Sequence, residues 1–480
     1  MLAVIEEKEK RAMKLWIHWF DGVLSLRSAC ARKRTFVWMT LVLVGFSIRA
    51  DLLGVTSFIR ACFIREEKYR SLLYFFHTPA LDLEKLTALW VKLVLRLFSA
   101  VTVNGYILII ADGIKVAKEG KKMPAVKSLH QESDDNSKPA FIMGHSFQAL
   151  GLLVNGALGQ FFCVPLVSRI HEGLVWSNRD KRTLLDKLVE LFFQIAESLR
   201  RKAILIADAY YASKKVIKPL LNAGHHLVTR LKTTSVAYHP APKPKKRKPG
   251  RPKLYGRKIR LRDCWKRSKD FVKASSPVYG EADVEILYFC IDLLWRPVGQ
   301  LVRFVLVIHP TRGRMILMTT LTSLDPIEVI RIYGYRFKIE VAFKQALHTL
   351  GTYAYHFWMQ AMTPIRKRSG KQHMHRKTEK YRQQIKRKMS AYHRYVQLGC
   401  VAQGMLQYLA VTFGSKVWRH FNSWLRTMKV DKAPSEMVVA QALRSSLPQF
   451  LVVKHESHDL EKFIVENADV SRMPGMRLTG

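Results

Sequence analysis

Tyr333-Gly-Tyr-Arg336-Phe-Lys-Ile-Glu340-Val-Ala-Phe-Lys344 is the stretch on which the reading of this chain turns. It holds no Pro and no long β-branched run, and Asp325-Pro326 just upstream is a helix-start signal. Continued as one helix, it sets Tyr333, Arg336, Glu340 and Lys344 at steps of 3, 4 and 4. An aromatic ring, a cation, a carboxylate and a second cation then share one stripe. Ile330, Phe337 and Val341 gather on another face as a core seam. A plain amphipathic helix with a solvated charged side has the same pattern. The meaning of the stripe therefore depends on what the rest of the chain brings to it.

Two apolar strands upstream each end in an aspartate. Tyr106-Ile-Leu-Ile-Ile110 reads as a buried strand that stops at Ala111-Asp112-Gly113. Ala203-Ile-Leu-Ile-Ala207 reads as a second, ending in Asp208-Ala-Tyr-Tyr211. Between them lie a lysine-rich loop (Lys115, Lys118, Lys121, Lys122, Lys127), a hairpin of 140–154 with 157–170 turning at Asn155-Gly156, and a helix over 182–199. A short helix over 213–222, stopped by Gly224 and weakened by Pro219, precedes a strand at 226–230. Strand, hairpin, helix, strand, helix, strand is the order of the ribonuclease-H-like α/β fold. In such sheets functional groups collect at strand C-terminal ends, where Asp208 falls.

The predicted architecture is a ribonuclease-H-like mixed sheet flanked by helices, with a β-rich insertion and helical ends. Residues 1–100 form a helical region that either binds DNA or packs on the core, and 101–238 begin the catalytic core. Residues 239–322 hold a basic Pro-rich segment and the insertion, with strands at 285–294, 301–308 and 315–320. Residues 323–362 complete the core with the Glu340 helix, and 363–480 are basic and helical. Pro249-Gly250-Arg251-Pro252 resembles an AT-hook core, whose extended Arg251 would enter a minor groove; a charged linker has the same composition. Arg366 to Lys388 carries eleven Lys/Arg against Glu379 alone, beginning Arg366-Lys367-Arg368. Tyr381, Ile385 and Met389 make part of it helical, and Val396 to Phe413 continues as an apolar helix.

The 480 residues include 80 Lys+Arg against 37 Asp+Glu, a net charge of +43. That excess points to a polyanionic partner, with nucleic acid ahead of a membrane surface. Six scattered cysteines without a CxxC pair argue against zinc and against a disulfide framework. Residues 1–10 carry three glutamates and no signal-peptide core, and 36–48 is short of a membrane span. A cytoplasmic, nucleoid-associated protein without a membrane partner is the expectation.

Asp112, Asp208 and Glu340 supply what phosphodiester chemistry needs. Two Mg²⁺ ions about 4 Å apart generate the nucleophile, stabilise the crowded phosphorane-like state and release the 3′ oxygen. Mg²⁺ takes oxygen ligands and leaves most positions to water and substrate, so three carboxylates suffice. Arg336 and Lys344 beside them would hold phosphate oxygens. Over about 105–355 the chain resembles DDE insertion-sequence transposases, of the subgroup with a β-insertion and the signature Tyr-x2-Arg-x3-Glu-x6-Lys. Tyr333, Arg336 and Glu340 match it, as do Ile110-Ala-Asp112, Gly144-His145, Ile206-Ala-Asp208-Ala-Tyr-Tyr211, Thr229-Arg230 and Leu350-Gly351. The last signature position holds Leu347, and Lys344 is a substitute one turn after Glu340.

The resemblance implies Mg²⁺-dependent cleavage at transposon ends, with Mn²⁺ as a substitute ion. It also implies strand transfer into target DNA and a homodimer in a synaptic complex on double-stranded DNA. A DNA-binding relative without catalysis and a structure-specific nuclease of the same fold are the alternatives. His145 either orients a metal-bound water or phosphate or sits satisfied in the core. Tyr210, Tyr211 and Trp176 either stack on a base or pack inside, and Trp265, Trp295 and Trp358 have the same two readings. Glu119, Glu132, Asp134, Asp135, Asp263 and Asp283 lack an apolar-strand context.

Overall fold

The computed structural model describes residues 15–131, 139–242, 250–278, 280–281, 283–452, 464 and 466–469. The N-terminal decapeptide, Glu132, Asp134, Asp135 and the cations from Lys243 to Lys248 lie outside them.

Helices α1 (Lys33–Ile48), α2 (Tyr69–His77) and α3 (Leu83–Leu97) come first. Strands β1 (Tyr106–Ala117), β2 (Lys127–His130), β3 (Phe141–Asn155) and β4 (Phe161–Ile170) follow. Next come α4 (Leu184–Leu199), β5 (Ala203–Ala207), α5 (Lys214–Asn222) and β6 (His226–Leu231). The insertion supplies β7 (Val236–Pro240), β8 (Tyr255–Arg260), β9 (Glu285–Trp295), β10 (Gln300–His309) and β11 (Gly313–Thr319). Helices α6 (Pro326–Gly334), α7 (Phe337–Gln345), α8 (Glu379–His420) and α9 (Glu436–Val452) complete the chain.

The chain forms two compact units. The first comprises 1–100, 113–181 and 341–480, and the second 101–112 and 182–340. Strand β1 passes from the second to the first after Asp112.

In the first unit, α8 is the axis. Its residues from Ala391 to Ala410 are almost wholly buried, and α1, α2, α3, α9 and β4 pack on it. Helix α1 is buried from Thr35 to Ile48, too apolar all round for a surface helix. β3 pairs antiparallel with β4 over residues 147–155, with a register shift between Leu150 and Gly151, and with β2 over residues 141–144. Gly144 is required here, because a Cβ would collide with the Val116 carbonyl.

In the second unit the sheet runs β8-β7-β9-β10-β11-β6-β5-β1. The apolar stretch of β1 pairs parallel with β5, and β5 pairs parallel with β6. Helix α4 starts in a capping box: Thr183 and Asp186 satisfy each other's backbone N–H. The insertion extends the sheet, since β11 lies antiparallel on β6 with Thr319 opposite Val228. This is the ribonuclease-H-like mixed sheet flanked by helices that the sequence predicts.

Four local expectations are corrected. Strand β1 does not stop at Asp112 but runs to Ala117, because Ile114 and Val116 alternate with polar neighbours and give a half-exposed strand. The lysine-rich stretch is not one loop: Lys115 lies on β1, Lys127 on β2, and Lys118 is buried. The hairpin turn is longer than Asn155-Gly156, since Asn155 pairs with Phe161 across a 3₁₀ turn at Ala157–Gly159. Last, the signature stretch is two helices. Helix α6 ends at Gly334, and a turn at Tyr335 and Arg336 shifts the phase before α7. Phe337 and Val341, expected in the core, are therefore 38% and 45% exposed, and Tyr335, Ile339 and Ala342 are buried instead.

Candidate active site

Within the second unit, β1 and β5 are parallel neighbours with Ile110 opposite Ile206. Asp112 lies two residues past Ile110 on β1, and Asp208 is the residue that follows β5 and caps a 3₁₀ turn. Neighbouring strands are about 4.8 Å apart, and the Arg336 guanidinium feels the charge of both aspartates. Asp208 is fixed from both sides. Its carboxylate accepts from the Tyr210 N–H at 2.9 Å, and its carbonyl accepts from the buried Thr229 hydroxyl at 2.7 Å.

Helix α6 leads to the third carboxylate, Glu340, which stands in the first turn of α7. Asp325 caps α6 by accepting from the Ile327 N–H at 2.8 Å, with Pro326 in its first turn. The helix packs on β5, β6, β10 and β11. The turn after Gly334 then places the Arg336 guanidinium between two acids. Nη1 donates to Asp112 Oδ2 at 2.8 Å and Nη2 to Glu340 Oε1 at 2.5 Å. The Asp112 side chain is 19% exposed and that of Glu340 53%. Burial works against the Arg336 charge, but Asp112, Glu340, Tyr333 and Asp208 around it outweigh that and raise its pKa. Tyr333 belongs to the same group: burial raises its pKa, Arg336 and Arg230 oppose the rise, and Asp208 adds to it.

Among the described residues no three acidic, His or Cys side chains stand close enough to hold an ion together. Arg336 stands between two of the three carboxylates, and Glu340 is the exposed one. The donor set still suits a hard divalent cation. Its members are carboxylate oxygens, one on β1, one just past the parallel strand β5 and one on α7.

Other sequence candidates separate from this group. Lys344 is exposed on α7. Arg251 is exposed in a bend, and Arg366, Lys367 and Arg368 are exposed in the turn that the Arg366 carbonyl closes by accepting from Ser369. His145 is a core residue. It is fully buried, with Nδ1 2.7 Å from the Tyr355 hydroxyl and Nε2 2.8 Å from the Pro124 carbonyl, and burial lowers its pKa to about 3. Tyr211 and Trp295 are buried, whereas Tyr210 and Trp358 are exposed. Trp176 packs against Met359, Met362, Met374 and Ile385. The sequence reading missed that Arg336 bridges Asp112, a contact 224 residues apart with no local signal.

A family model described as DDE superfamily endonuclease matches residues 29–277, more than half of the chain. The match includes Asp112 and Asp208 and ends before Glu340. No curated protein matches the chain.

Proposed function

This chain belongs to the DDE superfamily of endonucleases, and from that premise we propose that it is a transposase that cuts DNA at transposon ends and joins them to a target. The observation that carries the reading is that Asp112 on β1 and Asp208 just past its parallel neighbour β5 both act on the Arg336 guanidinium, which also binds Glu340. Asp112, Asp208 and Glu340 would hold Mg²⁺, or Mn²⁺ in its place. The ion supplies a Lewis acid for the scissile phosphate and lowers the pKa of an attacking water.

The protein's own groups do the rest. Arg336 presents a planar fork that suits two phosphate oxygens, and binding DNA would draw it from Asp112 and Glu340. Tyr333, half-buried beside Arg336, fixes where the guanidinium lies. Thr229 holds the Asp208 backbone and so the direction of its carboxylate. The exposed cations Lys344, Arg251, Arg366, Lys367 and Arg368 take up phosphates along double-stranded DNA. Two copies acting on paired ends complete the proposal.

A second reading, a DNA-binding relative that does not cut, is favoured by Leu347 at the position where the resembled signature has Lys. Nicking of DNA bearing the element's ends, in Mg²⁺ and with Asp208→Asn as control, separates the two. The transposase cuts and the variant does not; tight binding without metal-dependent cutting gives the second reading.

A further inference from the structure

In the insertion, β7 and β8 form a two-stranded antiparallel ribbon, with Ala237 opposite Ile259 and Val236 opposite Arg260. β8 is the terminal strand of the sheet, and among the described residues β7 joins β9 through one pair, Tyr238 with Leu294. Opposed residues share a face, and successive residues alternate between faces. Lys258 and Arg260 therefore stand on one face with Tyr238 and Val236, and Ala237 and Ile259 stand on the other. Ala237 is fully buried, so that inner face rests on the protein. The outer face is cationic. Lys258 and Arg260 are exposed, and the β9–β10 turn adds the exposed Arg296. The Arg296 guanidinium lies 5.8 Å from the ring centres of both Tyr238 and Tyr255, which are 5.2 Å apart.

The acids of the insertion are committed elsewhere. Asp270, Glu285 and Asp292 pair with Arg267, Lys273 and Arg303, and Glu281 pairs with Arg312. Asp263 and Asp283 are the other acids between 239 and 322. Among the described residues Lys258, Arg260 and Arg296 have no ion-pair partner. Cations on a terminal strand also keep other strands from pairing with it. Arg296 is not on that strand, and its place over tyrosines of both ribbon strands adds a third cation that edge protection does not need. Uncompensated cations gathered on one face suit a polyanion. Shape selects which one. The major groove of B-DNA, about 12 Å wide, admits a two-stranded ribbon, whose strands stand about 4.8 Å apart. We propose that the outer face of the β7–β8 ribbon binds duplex DNA in the major groove, with Lys258 and Arg260 on guanine edges and Arg296 on a phosphate. This surface shares no residue with the carboxylate site; it rests on DNA being the partner, as proposed above, and not on cutting.

The test uses the full chain without divalent metal and a duplex that it enriches from a random-sequence library, with binding read by fluorescence anisotropy. Replacing the duplex's guanines by 7-deazaguanine removes the N7 acceptor of the major groove and weakens the unmodified chain by about tenfold. Lys258→Gln and Arg260→Gln each bind the ordinary duplex about tenfold more weakly and lose most of the response to 7-deazaguanine. Arg296→Gln keeps that response and lowers the slope of log affinity against log salt by about 0.9. Lys269→Gln, at an exposed lysine of the same insertion, leaves the response to 7-deazaguanine unchanged. All these variants melt with the unmodified chain, because the side chains are exposed. Asp208→Asn binds as the unmodified chain does, so failure of the cleavage reading leaves this one standing. An unmodified chain that binds duplex but ignores 7-deazaguanine overturns the proposal and spares DNA as the partner. So do Lys258→Gln and Arg260→Gln chains with full affinity and full response. Absence of duplex binding overturns both readings. Binding to phosphatidylserine vesicles that the three substitutions abolish, with duplex binding intact, assigns the face to a membrane surface and overturns the proposal as well.

Discussion

Replacing Arg336 by Gln should destabilise the metal-free protein and make it more responsive to metal. The guanidinium joins Asp112 at 2.8 Å with side chains 24% and 19% exposed, a partly desolvated charged hydrogen bond. Such bonds contribute about 1.5–3 kcal/mol. Its second bond reaches a Glu340 side chain that is 53% exposed. An exposed i,i+4 pair of that kind adds only about 0.3–0.5 kcal/mol. Part of the gain is lost to burying the guanidinium, so the net cost of Arg336→Gln is about 2 kcal/mol, or roughly 4–8 °C in Tm for a unit of this size. Without Arg336, repulsion among Asp112, Asp208 and Glu340 is less well offset, and a divalent cation gains affinity. Thermal melts with EDTA and with millimolar Mg²⁺ or Mn²⁺ check both halves. The metal should raise Tm more in the variant than in the unmodified chain, while the variant loses cleavage because phosphate positioning is gone. A variant as stable as the parent in EDTA, or one that gains no more from metal, would refute the assignment of Arg336 to the centre of the carboxylate group.

Thr229→Val removes the hydroxyl that donates to the Asp208 carbonyl; about 1 kcal/mol of stability is lost and cleavage falls, while DNA affinity in a gel-shift titration is unchanged. Neutralising Arg366, Lys367 and Arg368 together lowers the slope of log affinity against log salt by about 2.7 if all three meet phosphates, and an unchanged slope removes that turn from the DNA interface. Lys118 is buried against the Tyr355 ring, 3.9 Å from its centre, and burial depresses its pKa from 10.5 to about 7. Between these values the unfolded chain binds more protons than the folded one, so this group makes stability rise with pH from about 7 towards 10. Denaturant titrations of Lys118→Met across that range should show a flatter rise than the parent.

The sequence already carries the core. Ala203 to Ala207 is a strand in both readings because five buried apolar residues bounded by Lys202 and Asp208 allow little else. The α4 periodicity and the Asp325-Pro326 start held for a similar reason: each is local chemistry. The break between α6 and α7 was not legible. Gly334 is tolerated inside helical patterns, and only packing of Tyr335 and Ile339 selects the turn. Lys115 and Lys127 hid β1's outer half and β2, since lysine on the exposed side of a strand looks like a loop.

The central claim is that Asp112, Asp208 and Glu340 act as one group. Cleavage of end-bearing DNA by Asp112→Asn, Asp208→Asn and Glu340→Gln, each beside the unmodified protein in Mg²⁺ and in Mn²⁺, tests it most directly. The account predicts that each single substitution lowers cleavage by about a thousandfold or more, equivalent to about 4 kcal/mol in the barrier, with DNA binding retained. Metal-dependent cleavage that survives the loss of any one of the three would contradict it.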